Sequence, residues 1–156
     1  MILLTVGTQF PFDRLVKAVD ELFDAGLLHE SVFAQIGNGT YRPRNFRAVA
    51  SLDKQSFDRQ FELCSAVIGH AGMGVITMAQ EHGKPLVAMA RRHKYGEHVN
   101  DHQVGLAQRF EALGHILVAR DEWDLPVKLA QLHGFQPVPR RPEPELVAQR
   151  ILGFLG

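Results

Sequence analysis

The chain has 156 residues, 46% of them hydrophobic and 22% charged, which fits one globular domain with a substantial core and leaves no room for a second. Its 17 basic side chains balance 17 acidic ones, so no broad field draws it to nucleic acid or anionic lipid and any cationic function has to be local. The lone Cys64 cannot close an internal disulfide, the run Ile2 to Val6 is too short for a signal peptide, and no apolar stretch approaches the roughly 20 residues that span a bilayer, which together predict a reducing, cytoplasmic setting.

Short apolar runs alternate with segments of helical period, the pattern of an α/β, Rossmann-like parallel sheet with helices on both faces. The first predicted strand, Ile2 to Val6, ends in Gly7-Thr8-Gln9 and feeds a helix over Phe12 to Ala25, with Leu15, Val16, Val19, Leu22 and Phe23 on one face and Gly26 closing it. Strands at Val32 to Ile36 and Phe46 to Ala50 follow, then a helix over Ser56 to Leu63. The strand Ala66 to Gly69 runs into His70-Ala71-Gly72-Met73-Gly74 and a helix over Met73 to His82. The strand Leu86 to Met89 ends in the polar loop Arg91 to Gln103, followed by a helix over Asn100 to Leu113, a strand at Ile116 to Ala119 and a helix over Asp124 to Leu132. Pro137 to Glu145, PVPRRPEPE, reads as extended linker, and helical spacing resumes over 146–155, a helix expected to dock on the domain or on a partner.

Three turns carry chemistry. Gly7-Thr8-Gln9 lets the backbone approach a ligand and offers donors to a phosphate or sugar, or is a tight turn capped by Thr8. In His70 to Gly74 a helix start presents unpaired N–H groups and a positive dipole end, and Gly72 and Gly74 remove side chains that would block a pyrophosphate. His70 orients this turn or contacts phosphate. The GxGxxG fingerprint is absent, which disfavours hydride chemistry. In the third loop Glu97, Asn100, Asp101 and Gln103 are groups of the kind that read sugar hydroxyls, and Arg91, Arg92 and Lys94 can neutralise phosphate, although a solvated loop with a helix cap at Asn100 or Asp101 explains the same residues. His98 and His102 have metal-ligand spacing, but Val99 stands where a metalloprotease needs glutamate, and no metal site is assigned. Cys64 reads as buried packing.

Together, Gly7-Thr8-Gln9, the HAGMG turn at His70 to Gly74, Gly83-Lys84-Pro85 and the NDHQ run at Asn100 to Gln103 resemble the C-terminal, donor-binding domain of glycosyltransferase family 28, which is half of a GT-B enzyme. The chain resembles in particular the small subunits of split bacterial exopolysaccharide glycosyltransferases, the PssE-like group. It is also similar to the catalytic subunit of the eukaryotic two-part enzyme that adds the second N-acetylglucosamine to dolichol diphosphate. The likeness runs from Ile2 to about Ala119.

This resemblance implies a donor-binding subunit of an inverting transferase. Such a subunit moves a hexose or hexuronic acid from a UDP-sugar, without a metal or other cofactor, to a polyprenyl-diphosphate-linked sugar. The acceptor and general base would belong to a separate, membrane-anchored partner, which would hold the chain at the cytoplasmic membrane face and without which it can self-associate. Gly7, Thr8, Gly72, Met73 and Gly74 match the turns at the diphosphate, Ser51, Leu52, Asp53 and Lys54 the uracil region, and Gln103 the glutamine at the donor sugar. Two residues depart from the pattern. Met78 stands where the peptidoglycan-forming relative has a glutamate for ribose, with Glu97 a substitute, and Ala90 replaces a frequent proline. A non-catalytic nucleotide-binding regulatory module, or half of a nucleotide-sugar epimerase, would share this fold and these turns. Dependence on a partner and a lipid-linked acceptor would separate the transferase from both.

Overall fold

A computed structural model describes residues 1–139, which build six parallel strands, five α-helices and two short 3-10 turns among the described residues. The strands are β1 (Ile2–Thr5), β2 (Val32–Gln35), β3 (Arg47–Val49), β4 (Ala66–His70), β5 (Leu86–Met89) and β6 (Leu117–Ala119). The helices are α1 (Asp13–Asp24), α2 (Lys54–Leu63), α3 (Met73–Glu81), α4 (His102–Ala112) and α5 (Leu125–Gln131). Every neighbouring pair is parallel and the spatial order is β3-β2-β1-β4-β5-β6. The fold is therefore the expected α/β arrangement, and the order reverses between β1 and β4, where an open sheet leaves a crevice beyond the strand ends.

Alternation along the strands divides the core into two layers. Ile2, Leu4, Ile68, Val87 and Met89 face α1 and α5, whereas Leu3, Val67, Leu86 and Ala88 face α2, α3 and α4. Leu15, Val16, Val19 and Leu22 supply the buried stripe of α1, and the chain leaves that helix through Gly26 at φ 71°. Cys64 is buried packing in the second layer, where burial pushes its thiol pKa up.

The expected elements differ from the structure mainly at their ends, for local reasons. The α2 helix begins at Lys54 because Asp53 caps it, accepting from Ser56 N–H at 2.7 Å. The α4 helix begins only at His102, because the side chains of Asn100 and Asp101 accept backbone N–H groups of His102 and His93 and hold the preceding loop. No helix links β2 to β3; that crossover is tied instead to α1 through Asp20, which accepts from Tyr41 Oη at 2.6 Å and from the backbone N–H groups of Arg44 and Asn45. Val138, within the expected linker, pairs with Gly114 O and His115 Nδ1; residues 140–145 of that linker and the expected 146–155 helix lie outside the described residues. No helix among the described residues is long and apolar enough to cross a membrane.

Candidate functional site

A cavity of about 680 Å³ opens at the carboxyl ends of β1 and β4, on the side covered by α2, α3 and α4. Its polar end is formed by Gly7, Thr8, His70, Gly72 and Gly74, with Arg91 and Gln103 behind them. Leu52, Phe57, Met73, Met78 and Leu106 make an apolar wall. The first intrahelical bond of α3 runs from Ile76 N–H to Gly72 O, leaving the N–H groups of Met73, Gly74 and Val75 without an acceptor in the helix, at the positive end of its dipole. An anionic group in the cavity would meet these donors first.

His70 is the hub of the polar end. Its Nδ1 lies 2.9 Å from Arg91 Nη1 and 3.3 Å from Gln103 Nε2, while Gln103 Oε1 accepts the Arg91 backbone N–H at 3.0 Å. The ring lies against Gly7 and Gly72: a Cβ at Gly72 would sit 2.1 Å from His70 Cε1, and one at Gly7 would sit 2.7 Å from Nε2. Gly7 also adopts φ 78°, which excludes side chains on its own account. Burial first, then the nearby Arg91 and His98 charges, push the His70 pKa down to about 3, so the imidazole is neutral at physiological pH. Arg91 is 2% exposed, and its guanidinium also donates to the carbonyls of Val6, Phe10 and Pro11, joining the end of β5 to the turn after β1. Burial lowers its pKa to about 10, partly offset by Glu97, so the charge persists at neutral pH.

The 90–101 loop is anchored from α1. Arg14 grips Glu97 with two bonds of 2.9 Å, reaches Glu122 at 2.8 Å and lies over the Tyr95 ring at 4.4 Å. Arg14→Met is expected to cost roughly 3 kcal/mol, because it leaves the Glu97 carboxylate enclosed and unpaired. Glu97→Gln added to that variant should restore part of the loss in a thermal melt.

The model of the glycosyltransferase family 28 C-terminal domain matches residues 1–132. The chain belongs to this family. It is 34% identical over 124 residues to the mouse (Mus musculus) UDP-N-acetylglucosamine transferase subunit ALG13, covering 72% of this chain and 10% of the relative. The human (Homo sapiens) counterpart is 33% identical over 124 residues, again with 10% of its length covered, so the chain spans about a tenth of the curated relatives it matches. An NMR structure of ALG13 superimposes with a TM-score of 0.62 at 18% identity, over 97% of this chain and 94% of that one. The kitacinnamycin glycotransferase gives 0.62 at 18% identity over 97% of this chain and 37% of its own. The sheet and its helices thus match the C-terminal half of GT-B glycosyltransferases.

Within this family 28 domain the expected site residues separate into two groups. Gly7, Thr8, His70, Gly72, Met73, Gly74, Ser51, Leu52, Lys54 and Gln103 all line the cavity. Asp53, Glu97, Asn100 and Asp101 do not: the first caps α2, the second holds Arg14 and the Arg92 N–H, and the other two brace the loop before α4. Glu97, the expected substitute for the ribose carboxylate absent at Met78, is engaged by Arg14 away from the cavity lining, and Asn100 and Asp101, expected at the sugar, likewise build the loop before α4. Gly72 and Gly74 also part company. The space beside Gly72 is filled by His70 rather than held open for a pyrophosphate, whereas a Cβ at Gly74 would meet nothing within 4 Å. Arg91 acts as an internal strut, and the Gln103 amide, expected at the sugar, has both ends engaged inside the protein.

Sequence reasoning passed over Thr5 and Gln35. Thr5 Oγ1 donates to Gln35 Oε1 at 2.8 Å, and Gln35 Nε2 donates to the carbonyls of Gly7 and Ala50, latching the turn after β1 to the loop after β3. The signal was present as a lone polar residue near the C-terminal end of two otherwise apolar strands, the end where α/β sheets bind ligands. His98 and His102 also line the cavity, and no group of three metal-ligating side chains is found among the described residues.

Proposed function

We propose that this family 28 domain is the donor-binding subunit of a two-component glycosyltransferase, holding the diphosphate of a UDP-sugar at the start of α3. The carrying observation is that the free N–H groups of Met73, Gly74 and Val75 open into the cavity beside His70, with an apolar wall adjoining them. Gly7 and Thr8 approach the diphosphate from the β1 side, and Ser51, Leu52 and Lys54, with Phe57, flank the uracil. As the glycosidic bond breaks, negative charge grows on the departing UDP, and donors fixed before the reaction stabilise that charge more than the ground state. The acceptor, a polyprenyl-diphosphate-linked sugar of exopolysaccharide synthesis, and the base that deprotonates it belong to a membrane-anchored partner. Through that partner the chain works at the cytoplasmic membrane face.

Titration calorimetry with UDP in the presence of chelator tests this reading, and Gly74→Leu localises it. Leucine is a far better helix former than glycine, so the variant should melt no lower than the parent while its side chain enters the open space over the helix start. UDP affinity should fall on the order of 30-fold, the loss of one well-placed charge-assisted contact. Parental affinity in the variant would remove the diphosphate from this helix.

A further inference from the structure

We infer that Arg91 and Gln103 act together as a latch that holds His70 in one neutral tautomer, with its Nε2–H presented to the cavity as a donor for an anionic ligand oxygen. The inference rests on the diphosphate reading of the cavity but starts from bond directions alone. Arg91 is a guanidinium and can only donate, so His70 Nδ1, 2.9 Å from its Nη1, has to accept. The Gln103 amide is oriented by a separate bond: its Oε1 accepts the Arg91 backbone N–H at 3.0 Å, which turns its Nε2, a second donor, toward the same Nδ1 at 3.3 Å. Two donors converge on Nδ1, and the ring proton is left on Nε2. That nitrogen has no hydrogen-bond partner among the described residues, and the ring lines the cavity.

The surroundings hold this state. Charged and titratable groups facing the ring are Arg91, at the end of β5, and His98, from the following loop, both opposing an added positive charge. The α4 helix contributes the uncharged Gln103, the turn after β1 contributes Gly7 and the α3 start contributes Gly72, none of which titrates. Glycine on both sides lets the ring sit in van der Waals contact with two backbones, so it is positioned by packing as well as by the latch. Arg91 and Gln103 are positioning residues: they touch His70, and His70 touches the ligand.

Two-bond proton–nitrogen spectra of the histidine rings test this, with His70 identified by its loss in His70→Gln. The ring should show a protonated Nε2 and a bare Nδ1, unchanged from about pH 5.5 to 8, where an ordinary histidine titrates. Gln103→Glu keeps the size and the acceptor for Arg91 N–H but puts a carboxylate oxygen against Nδ1, and should draw a proton there. A protonated Nδ1 in the parent, or unchanged ring shifts in Gln103→Glu, would overturn the latch. Adding UDP or inorganic pyrophosphate should shift Nε2, and Arg91→Met should weaken pyrophosphate binding on the order of tenfold, with partial rescue in Arg91→Lys, whose head is also donor-only. Shifts at the 73–75 amides with Nε2 unmoved would overturn the donor role and leave the diphosphate reading standing. A Nε2 response to pyrophosphate without any UDP binding would do the reverse.

Discussion

Gly72→Ala is expected to weaken UDP binding on the order of 100-fold, an effect set by His70 rather than by the ligand. The added methyl would stand 2.1 Å from His70 Cε1 and 2.7 Å from Nδ1, closer than atoms can approach, and the imidazole can yield only by giving up its present bonds. On its far side Gly7 already brings backbone against Nε2, and Arg91 and Gln103 hold Nδ1. The ring must either leave its partners or push the start of α3 away, and both outcomes misplace the donors of the polar end. Overpacking of this kind costs about 1–3 kcal/mol, which a thermal melt would register. The double variant Gly72→Ala, His70→Ala separates packing from binding, since it should recover stability by removing the clash and still bind UDP weakly for want of the imidazole. Parental UDP affinity in the single variant would mean that the His70 wedge has no part in binding.

Asp20→Ala should produce a large loss of stability, about 3 kcal/mol, because it removes a buried carboxylate that several part-buried donors share. The residue is fully buried on α1, and its carboxylate is met by Tyr41 Oη, the Arg44 and Asn45 N–H groups and Asn45 Nδ2. These bonds close the helix-free crossover between β2 and β3 and so support the strand that leads to Ser51 and Leu52. Burial alone would raise the Asp20 pKa; the hydrogen bonds from Tyr41, Arg44 and Asn45 outweigh it and hold the carboxyl below its usual range. The carboxyl in turn pushes Tyr41 up to about 12, chiefly through the hydrogen bond between them. A folded value below the unfolded one means that this stabilisation is complete above the unfolded carboxyl pKa, about 4, and is lost as pH falls through the lower folded value. Melting curves of the parent and of Asp20→Asn should therefore lie far apart at neutral pH and draw together in acid. A gap that stayed constant down to about pH 2 would show that the charge of Asp20 contributes nothing.

How much was legible follows from what each signal depends on. Runs such as Ile2 to Val6 and Leu86 to Met89, and the helical stripe of Leu15, Val16, Val19 and Leu22, announce their elements because periodicity is a local property of the chain. The helix starts at Lys54 and His102 differ from the expected Ser56 and Asn100 by two residues each, because Asp53, Asn100 and Asp101 choose between capping, loop-bracing and ligand roles according to which N–H group the fold brings near. The glycine turns at Gly7 and His70 to Gly74 were found as candidate site elements, yet the division of labour between Gly72 and Gly74 was invisible, since it depends on where the His70 ring lies.

By itself, the sequence determined the alternation of elements, the absence of a bilayer-spanning run and the polar turns that follow β1, β4 and β5, all consequences of residue order within a few positions. Tertiary structure alone decided the partners. Arg14 meets Glu97 across 83 positions, Arg91 meets Val6 across 85, and Thr5 meets Gln35 across 30. Which carboxylate is engaged by an arginine and which N–H is left free for a ligand is set by distances of a few ångströms between remote segments, because hydrogen bonds and ion pairs are short-ranged and the order of residues along a chain does not encode their separation in space.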